Sequence, residues 1–263
     1  MDLQLAGKKA LISGSTAGIG LAIATQLAQE GAQVIINGRS QASVTQMVEA
    51  LTRQTGGRVQ GFAGDLSQAA VAEALVAAHP EVDILVNNLG IFEPKAFEDI
   101  PDADWLRFFD VNVLSGVRLS RLYLPHMKQQ DWGRIVFISS ESGVQIPPEM
   151  IHYGMTKSAQ IAVARGLAES LAGTQITVNS ILPGPTRSRG VGDFVDAMAQ
   201  AGQQSAESFE KEFFAQVRPT SLIQRFATTE EVASLVTYIA SPLSSATNGA
   251  ALRVDGGVIK SAF

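Results

Sequence analysis

Short aliphatic and β-branched runs alternate with longer stretches of helical period along almost the whole chain, and no other feature constrains the fold as strongly. Ala10-Leu11-Ile12 is followed by a helical segment from about Ala17 to Glu30 and then by Val34-Ile35-Ile36, which reads as a βαβ unit. The pattern continues with a helix near Ser43 to Gln54, a strand near Val59 to Phe62, a helix near Ala69 to Ala78 and the strand Ile84-Leu85-Val86. Helices across Asp102 to Gln129, the strand Ile135-Val136-Phe137-Ile138, a helix over Tyr153 to Leu171, the strand Ile176-Thr177-Val178 and a helix from about Thr228 to Ala240 follow. Runs apolar on both faces and separated by helices specify a parallel sheet covered on both sides, with right-handed crossovers. The expected fold class is α/β: a doubly wound parallel sheet of about seven strands with helices on both faces.

Local signals mark the element ends. Gly31-Ala32 and Gly56-Gly57 stand where a left-handed residue closes a helix, and Asp102 and Thr228 or Thr229 stand where N-caps are wanted, the latter ahead of Glu230 and Glu231. A length of 263 residues admits one domain or two. Continuous alternation without a Pro-, Gly- or Ser-rich linker favours one domain over 1–263, its surplus length lying mostly in 186–220. That stretch is long for a connection, as lids and binding loops are. Its Phe209, Phe213 and Val217 recur at i, i+4 and i+8. With Phe194 or Met198 they either face an apolar substrate beneath a lid or pack on helices or a partner subunit.

Composition narrows the functional classes. Lys and Arg total 20 against 25 Asp and Glu, and a net charge of −5 gives no general attraction to nucleic acid or to an anionic membrane. Any phosphate site must therefore be local. The absence of cysteine removes disulfides, thiolate metal sites and a Cys nucleophile together. His79, His126 and His152 are scattered, so no metal site is expected. No apolar run approaches the roughly 18 residues of a membrane span, and Met1-Asp2-Leu3-Gln4 has none of the features of a signal peptide. A cytoplasmic location is the simplest expectation.

Ser13-Gly14-Ser15-Thr16-Ala17-Gly18-Ile19-Gly20 follows the first strand and opens the first helix, aiming backbone N–H groups at an anion while glycine permits close approach. At the end of the second strand, Asn37-Gly38-Arg39 lacks the acidic residue expected for a free ribose 2′-hydroxyl, and Arg39 offers a planar cation to a 2′-phosphate or is an ordinary surface residue. At the other end of the site, Tyr153 and Lys157 share one helix face at i, i+4, and Ser139-Ser140 closes the strand ending at Ile138. Ligands of open parallel sheets bind at that edge. A phenol with a pKa of about 10 is poorly matched to neutral pH, so Lys157 is expected to lower it while Ser140 orients a substrate oxygen.

Taken together, these motifs resemble the short-chain dehydrogenase/reductase family over about residues 8 to 257. The glycine turn is similar to TGxxxGxG with Ser13 in place of Thr, Asn87-Asn88-Leu89-Gly90 to NNAG with a bulkier Leu89, and Asn179 to Gly184 to NxxxPG. The resemblance implies a Rossmann-like fold and an Asn112, Ser140, Tyr153, Lys157 catalytic set. In it Tyr153 is the acid/base, Lys157 also holds the nicotinamide ribose and Asn112 supports a relay water. It places Gly14, Ser15, Thr16, Gly18, Ile19, Gly20, Arg39, Asp65, Leu66, Asn88 and Gly90 on the cofactor, together with Tyr153, Lys157, Pro183, Gly184 and either Thr186 or Ser188. Asp65 serves equally as an N-cap. NADP(H) is the preferred cofactor, with NAD(H) possible because Ala17 replaces a second basic residue of many NADP-dependent relatives. The implied function is hydride transfer between NADP(H) and a carbonyl or alcohol, and the implied assembly is a homotetramer. The alternatives are a nucleotide-sensing module without turnover and a dehydratase or epimerase that retains the cofactor. Glu141 either faces solvent or touches substrate.

Overall fold

The computed structural model describes residues 1–188, 190–192, 195, 202 and 204–262. Seven strands form one sheet: β1 (Lys9–Ile12), β2 (Gln33–Gly38), β3 (Val59–Ala63), β4 (Ile84–Asn87), β5 (Gly133–Ile138), β6 (Ile176–Pro183) and β7 (Ala251–Val254). Their order is β3-β2-β1-β4-β5-β6-β7 and every pairing is parallel. The chain runs from β1 outward to β3 and then crosses back to β4, so the order reverses between β1 and β4, where α/β sheets bind ligands.

Successive residues of each inner strand serve opposite faces. Ile12, Val86 and Val136 pack with α1 (Gly18–Gln29), α2 (Gln41–Thr55) and α8 (Thr229–Ala240), whereas Leu11, Leu85 and Ile135 pack with α3 (Ala69–Ala78), α5 (Ser115–Gln129) and α6 (Ile151–Ser170). Each fully buried aliphatic side chain contributes about 1.5–3 kcal/mol of transfer free energy, which holds both helical layers against the sheet. The N-terminus of α4 departs from expectation. Pro101, not Asp102, is the N-cap of α4 (Asp102–Phe109), and Asp102 falls in its first turn. Thr228 caps α8 with a capping box to Glu231.

The helical run expected across Asp102 to Gln129 is interrupted by a π turn, Asp110–Leu114, between α4 and α5. Such single turns occur frequently at functional sites, and this one carries Asn112. Past β6, α7 (Ala206–Gln216) packs in a small third cluster in which Phe214, Val195 and Phe226 are buried. Phe213 stacks on Phe226 with ring centroids 5.1 Å apart, and Phe209 packs against the same cluster. The apolar stripe therefore packs internally, Val217 is exposed, and Phe194 and Met198 lie outside the described residues. Among the described residues no helix is long and apolar enough to cross a membrane.

Candidate active site

The glycine-rich turn is held by two asparagines. Asn88 Nδ2 donates to the carbonyls of Ser13 and Gly14, each at 3.0 Å, while Ser13 Oγ accepts the N–H groups of Asn88 and Leu89, tying β1 to β4. Asn37 Oδ1 accepts from Gly14 N at 3.1 Å, and Asn37 Nδ2 donates to the carbonyls of Phe62 and Gly64, tying the turn to β3. Ser15 points inward: its hydroxyl donates to Ile12 O at 2.7 Å and accepts from Asn37 N, and its own N–H bonds Asn37 O. Ser15 thus shapes the loop, and the groups left for an anion are those opening α1. Its N-cap, Ala17, supplies no side-chain cap, so the N–H groups of Gly18, Ile19 and Gly20 have no intrahelical partner.

A cleft of about 140 Å³ continues from this turn, bordered by Thr16, Gly38, Arg39, Asp65, Leu66 and Leu89. A Cβ on Gly38 would lie 2.5 Å from Thr16 Cγ2, so the threonine methyl occupies the space an acidic side chain there would need. Arg39 is exposed and forms no ion pair among the described residues. Asp65 Oδ1 accepts from the N–H and hydroxyl of Ser67, a turn ahead of α3, whose N-cap is Gln68. An uncapped helix N-terminus, a cradle closed to side chains and an unpaired guanidinium at the far rim suit a dinucleotide carrying an extra phosphate.

At the other end, Ser140 follows β5, and its hydroxyl acts on the Tyr153 phenol, holding its pKa down, and accepts the N–H of Ser142 at 3.1 Å. Lys157 is buried on α6, with Nζ donating to Ile138 O at 2.9 Å and to Gln160 Oε1 at 3.1 Å, 5.5 Å from the centre of the Tyr153 ring. Asn112 is locked by its side chain: Oδ1 accepts from Ile91 N, and Nδ2 donates to Ile91 O and Thr156 Oγ1. A Cβ on Gly90 would stand 3.5 Å from Lys157 Nζ and 3.6 Å from Asn112 Oδ1. The structure thus brings Gly90, Asn112, Ser140, Tyr153 and Lys157 together.

The electrostatics differ from the expectation that Lys157 lowers the phenol. Burial pushes Tyr153 up to about 12, with the Ser140 hydrogen bond opposing, the Glu141 carboxylate adding and Arg218 opposing. Burial also pushes Lys157 down to about 7, so the ammonium is itself only partly charged at neutral pH. Arg218 is the cation that opposes the rise of the phenol, the least of the four causes. Its Nε lies 3.1 Å from Glu141 Oε1 and its Nη1 3.3 Å from Glu149 Oε1. Glu141 is buried, which rules out the solvent-facing one of its two expected placements, and its Oε2 has no hydrogen-bond partner. Burial raises its pKa against the opposing pull of Arg218.

Beyond β6, Gly184 packs so close to Asp255 that a Cβ would come within 2.5 Å of its carbonyl. The buried Thr186 hydroxyl donates to Gly184 O at 2.9 Å, closing its own loop. Ser188 instead borders the glycine turn, its Cβ 3.3 Å from where one on Gly18 would lie. Of the two hydroxyl candidates, Ser188 is the one facing the phosphate end. Three residues at these sites had escaped the sequence reading: Asn37, Gln160 and Arg218. Gln160 was detectable, because it continues the Tyr153 and Lys157 face at i+7; nothing local marks Arg218. Among the described residues no cluster of three His, Cys, Asp or Glu side chains is placed to hold a metal ion.

A parallel sheet with an open helix N-terminus at its switch point and a Ser-Tyr-Lys cluster at the same edge defines a nucleotide-dependent oxidoreductase. The chain belongs to the short-chain dehydrogenase/reductase family, whose members act on carbonyl and alcohol groups. A family model described as Enoyl-(Acyl carrier protein) reductase matches residues 14–259. The chain is 49% identical over 264 residues to an uncharacterized oxidoreductase, YvaG, of Bacillus subtilis, covering 100% of both chains. It is 35% identical to a D-beta-hydroxybutyrate dehydrogenase of Cupriavidus necator, over 97% of this chain and 98% of that one. L-sorbose reductase from Gluconobacter frateurii, solved with NADPH and L-sorbose, superposes with a TM-score of 0.93 at 29% identity, over 99% of this chain and 100% of that one.

Proposed function

We propose that this oxidoreductase prefers NADP(H) and interconverts a carbonyl compound and its alcohol with Tyr153 as general acid/base. One observation carries the reading: Ser140, Tyr153, Lys157 and Asn112 converge in a largely buried cluster at the sheet edge that also bears the open N-terminus of α1. A phenol pushed up to about 12 holds its proton at neutral pH, as the donor to a developing alkoxide must before transfer. Ser140 Oγ orients the substrate oxygen, Lys157 bears on the nicotinamide ribose, and Asn112 holds the Gly90-Ile91 turn beside them. A bound nicotinamide supplies or accepts the hydride.

Thr16, Gly18, Ile19 and Gly20 would hold the pyrophosphate and Arg39 the 2′-phosphate, with Asp65 and Leu66 at the adenine. Gly14, Asn88, Gly90, Pro183, Gly184 and Ser188 would line the remainder, and the structural neighbour solved with NADPH supports the cofactor choice. The whole chain acts as one domain in this reading. The candidate lid at 186–220 lies partly outside the described residues, its described end carries Arg218, which pairs with Glu141, and a cytoplasmic homotetramer is inferred from the family. The test is a screen of carbonyls and alcohols followed at the nicotinamide absorbance with both cofactors, repeated for Tyr153→Phe. Turnover should vanish in the variant while NADPH still binds; a variant that reduces the best carbonyl at the wild-type rate would remove Tyr153 from the chemistry.

A further inference from the structure

Gln160 is 1% exposed and sits one turn beyond Lys157 on α6, where an aliphatic side chain would satisfy the core. Burying a primary amide is unfavourable unless both of its ends are paired. Both are paired here, and with members of the same cluster: Oε1 accepts from Lys157 Nζ at 3.1 Å, and Nε2 donates to the main-chain carbonyl of Asn112 at 2.6 Å. That carbonyl belongs to the π turn Asp110–Leu114, while the Asn112 side chain is spent on Ile91 and Thr156. One rigid amide therefore spans two of the four residues assigned to catalysis, without itself belonging to the assigned set.

We propose that Gln160 is a positioning residue whose amide links the Lys157 ammonium to the Asn112 main chain and fixes the direction of the ammonium. An ammonium has three protons to place. Ile138 O and Gln160 Oε1 take two of them, leaving the third directed into the site; with Ile138 O alone, Nζ rotates about a single fixed bond. The amide oxygen also favours the charged form of Lys157 against the burial that disfavours it. Tyr153 is the titratable group facing Lys157, with Glu141 and Arg218 acting on Tyr153 from its other side, and among the described residues Lys157 has no ion-pair partner.

The role of this link in turnover rests on the reading of Lys157 given above; the link itself does not. Lys157 is titrated by NMR in the ligand-free protein through ¹³Cε-lysine labels, its signal assigned by loss in Lys157→Met. Wild type is compared with Gln160→Met, which matches the length of the side chain, and with Gln160→Glu, which keeps an oxygen toward Lys157 but sets a second against the Asn112 carbonyl. The midpoint is expected to fall in Gln160→Met and to rise in Gln160→Glu, with kcat for carbonyl reduction lowered about tenfold or more in both and KM for NADPH changed far less. Gln160→Leu tests the same loss if Gln160→Met does not fold. Midpoints and kcat unchanged in these variants would overturn the proposal. A wild-type protein that reduces no carbonyl, yet shows the opposed midpoint shifts, would overturn the functional reading and leave the Gln160 link standing.

Discussion

The Nε of Arg218 lies 3.1 Å from Oε1 of Glu141, so a buried cation carried by the chain after α7 is paired with the residue that follows Ser140. The same guanidinium reaches Glu149 ahead of Tyr153. One side chain thus bridges the two segments that deliver the hydroxyl and the phenol.

Removing Arg218 leaves the Glu141 carboxylate buried and alone, which costs about 3–5 kcal/mol, whereas removing Glu141 leaves Arg218 its contact with Glu149. Arg218→Met is expected to lower the unfolding free energy, measured by urea denaturation, by an amount in that range, and Glu141→Gln by less. Because the residues touch, the double variant should lose less than the sum of the two singles. Strict additivity in a double-mutant cycle would show that the pair is not coupled.

Arg39 borders the cleft beside Gly38 with no ion pair among the described residues. A charge-assisted hydrogen bond contributes about 1.5–3 kcal/mol, so Arg39→Ala should weaken NADPH binding roughly tenfold or more and leave NADH nearly unaffected. Fluorescence titration with the two reduced cofactors measures the ratio. Equal losses for both would take Arg39 away from the 2′-phosphate.

Gly20 admits no side chain: a Cβ there would meet Asn88 Nδ2 at 2.5 Å and Gly14 O at 2.6 Å. Helix propensity alone favours alanine over glycine by about 1 kcal/mol, so a net loss in Gly20→Ala isolates the contact. Overpacking of this kind costs about 1–3 kcal/mol, and both thermal stability and NADPH affinity are expected to drop. A variant at least as stable as wild type would show that the turn yields without cost.

His152 is buried against Phe108, ring centroids 4.1 Å apart, and neither of its ring nitrogens has a hydrogen-bond partner. Burial lowers its pKa from 6.5, so the unfolded chain takes up a proton first as pH falls. Its share of stability is complete above pH 6.5 and is lost as pH drops through that value toward the folded pKa. His152→Leu should flatten the decline and raise stability near neutrality by about 1 kcal/mol. His79, also lowered by burial, leaves a residual slope. Denaturant unfolding at pH 5 to 8 gives the comparison; an unchanged slope would place the titration elsewhere.

Much of the molecule was legible in its sequence. The period of each segment located six of the seven strands and most helices, though not the short edge strand β7, and the glycine spacing and the Tyr153 and Lys157 pair located both ends of the site. The Asp102 cap was misplaced because Pro101 already holds the extended conformation a cap needs. The π turn at Asn112 was hidden because a single widened turn leaves the helical period almost unchanged.

Local patterning by itself determined the parallel α/β class, the phosphate turn and the acid/base pair, because strand and helix periods and i, i+4 neighbours are properties of nearby residues. Only the tertiary structure decided the surroundings of that pair. Glu141 and Arg218 are 77 positions apart and Asn112 and Gln160 are 48 apart, and they meet because the crossovers return distant segments to one sheet edge. The same packing set the charge states: Lys157, expected from its spacing to lower the phenol, is pushed down to about 7, and Tyr153 up to about 12. The cost of desolvating a charge depends on what encloses it, and that enclosure exists only in three dimensions.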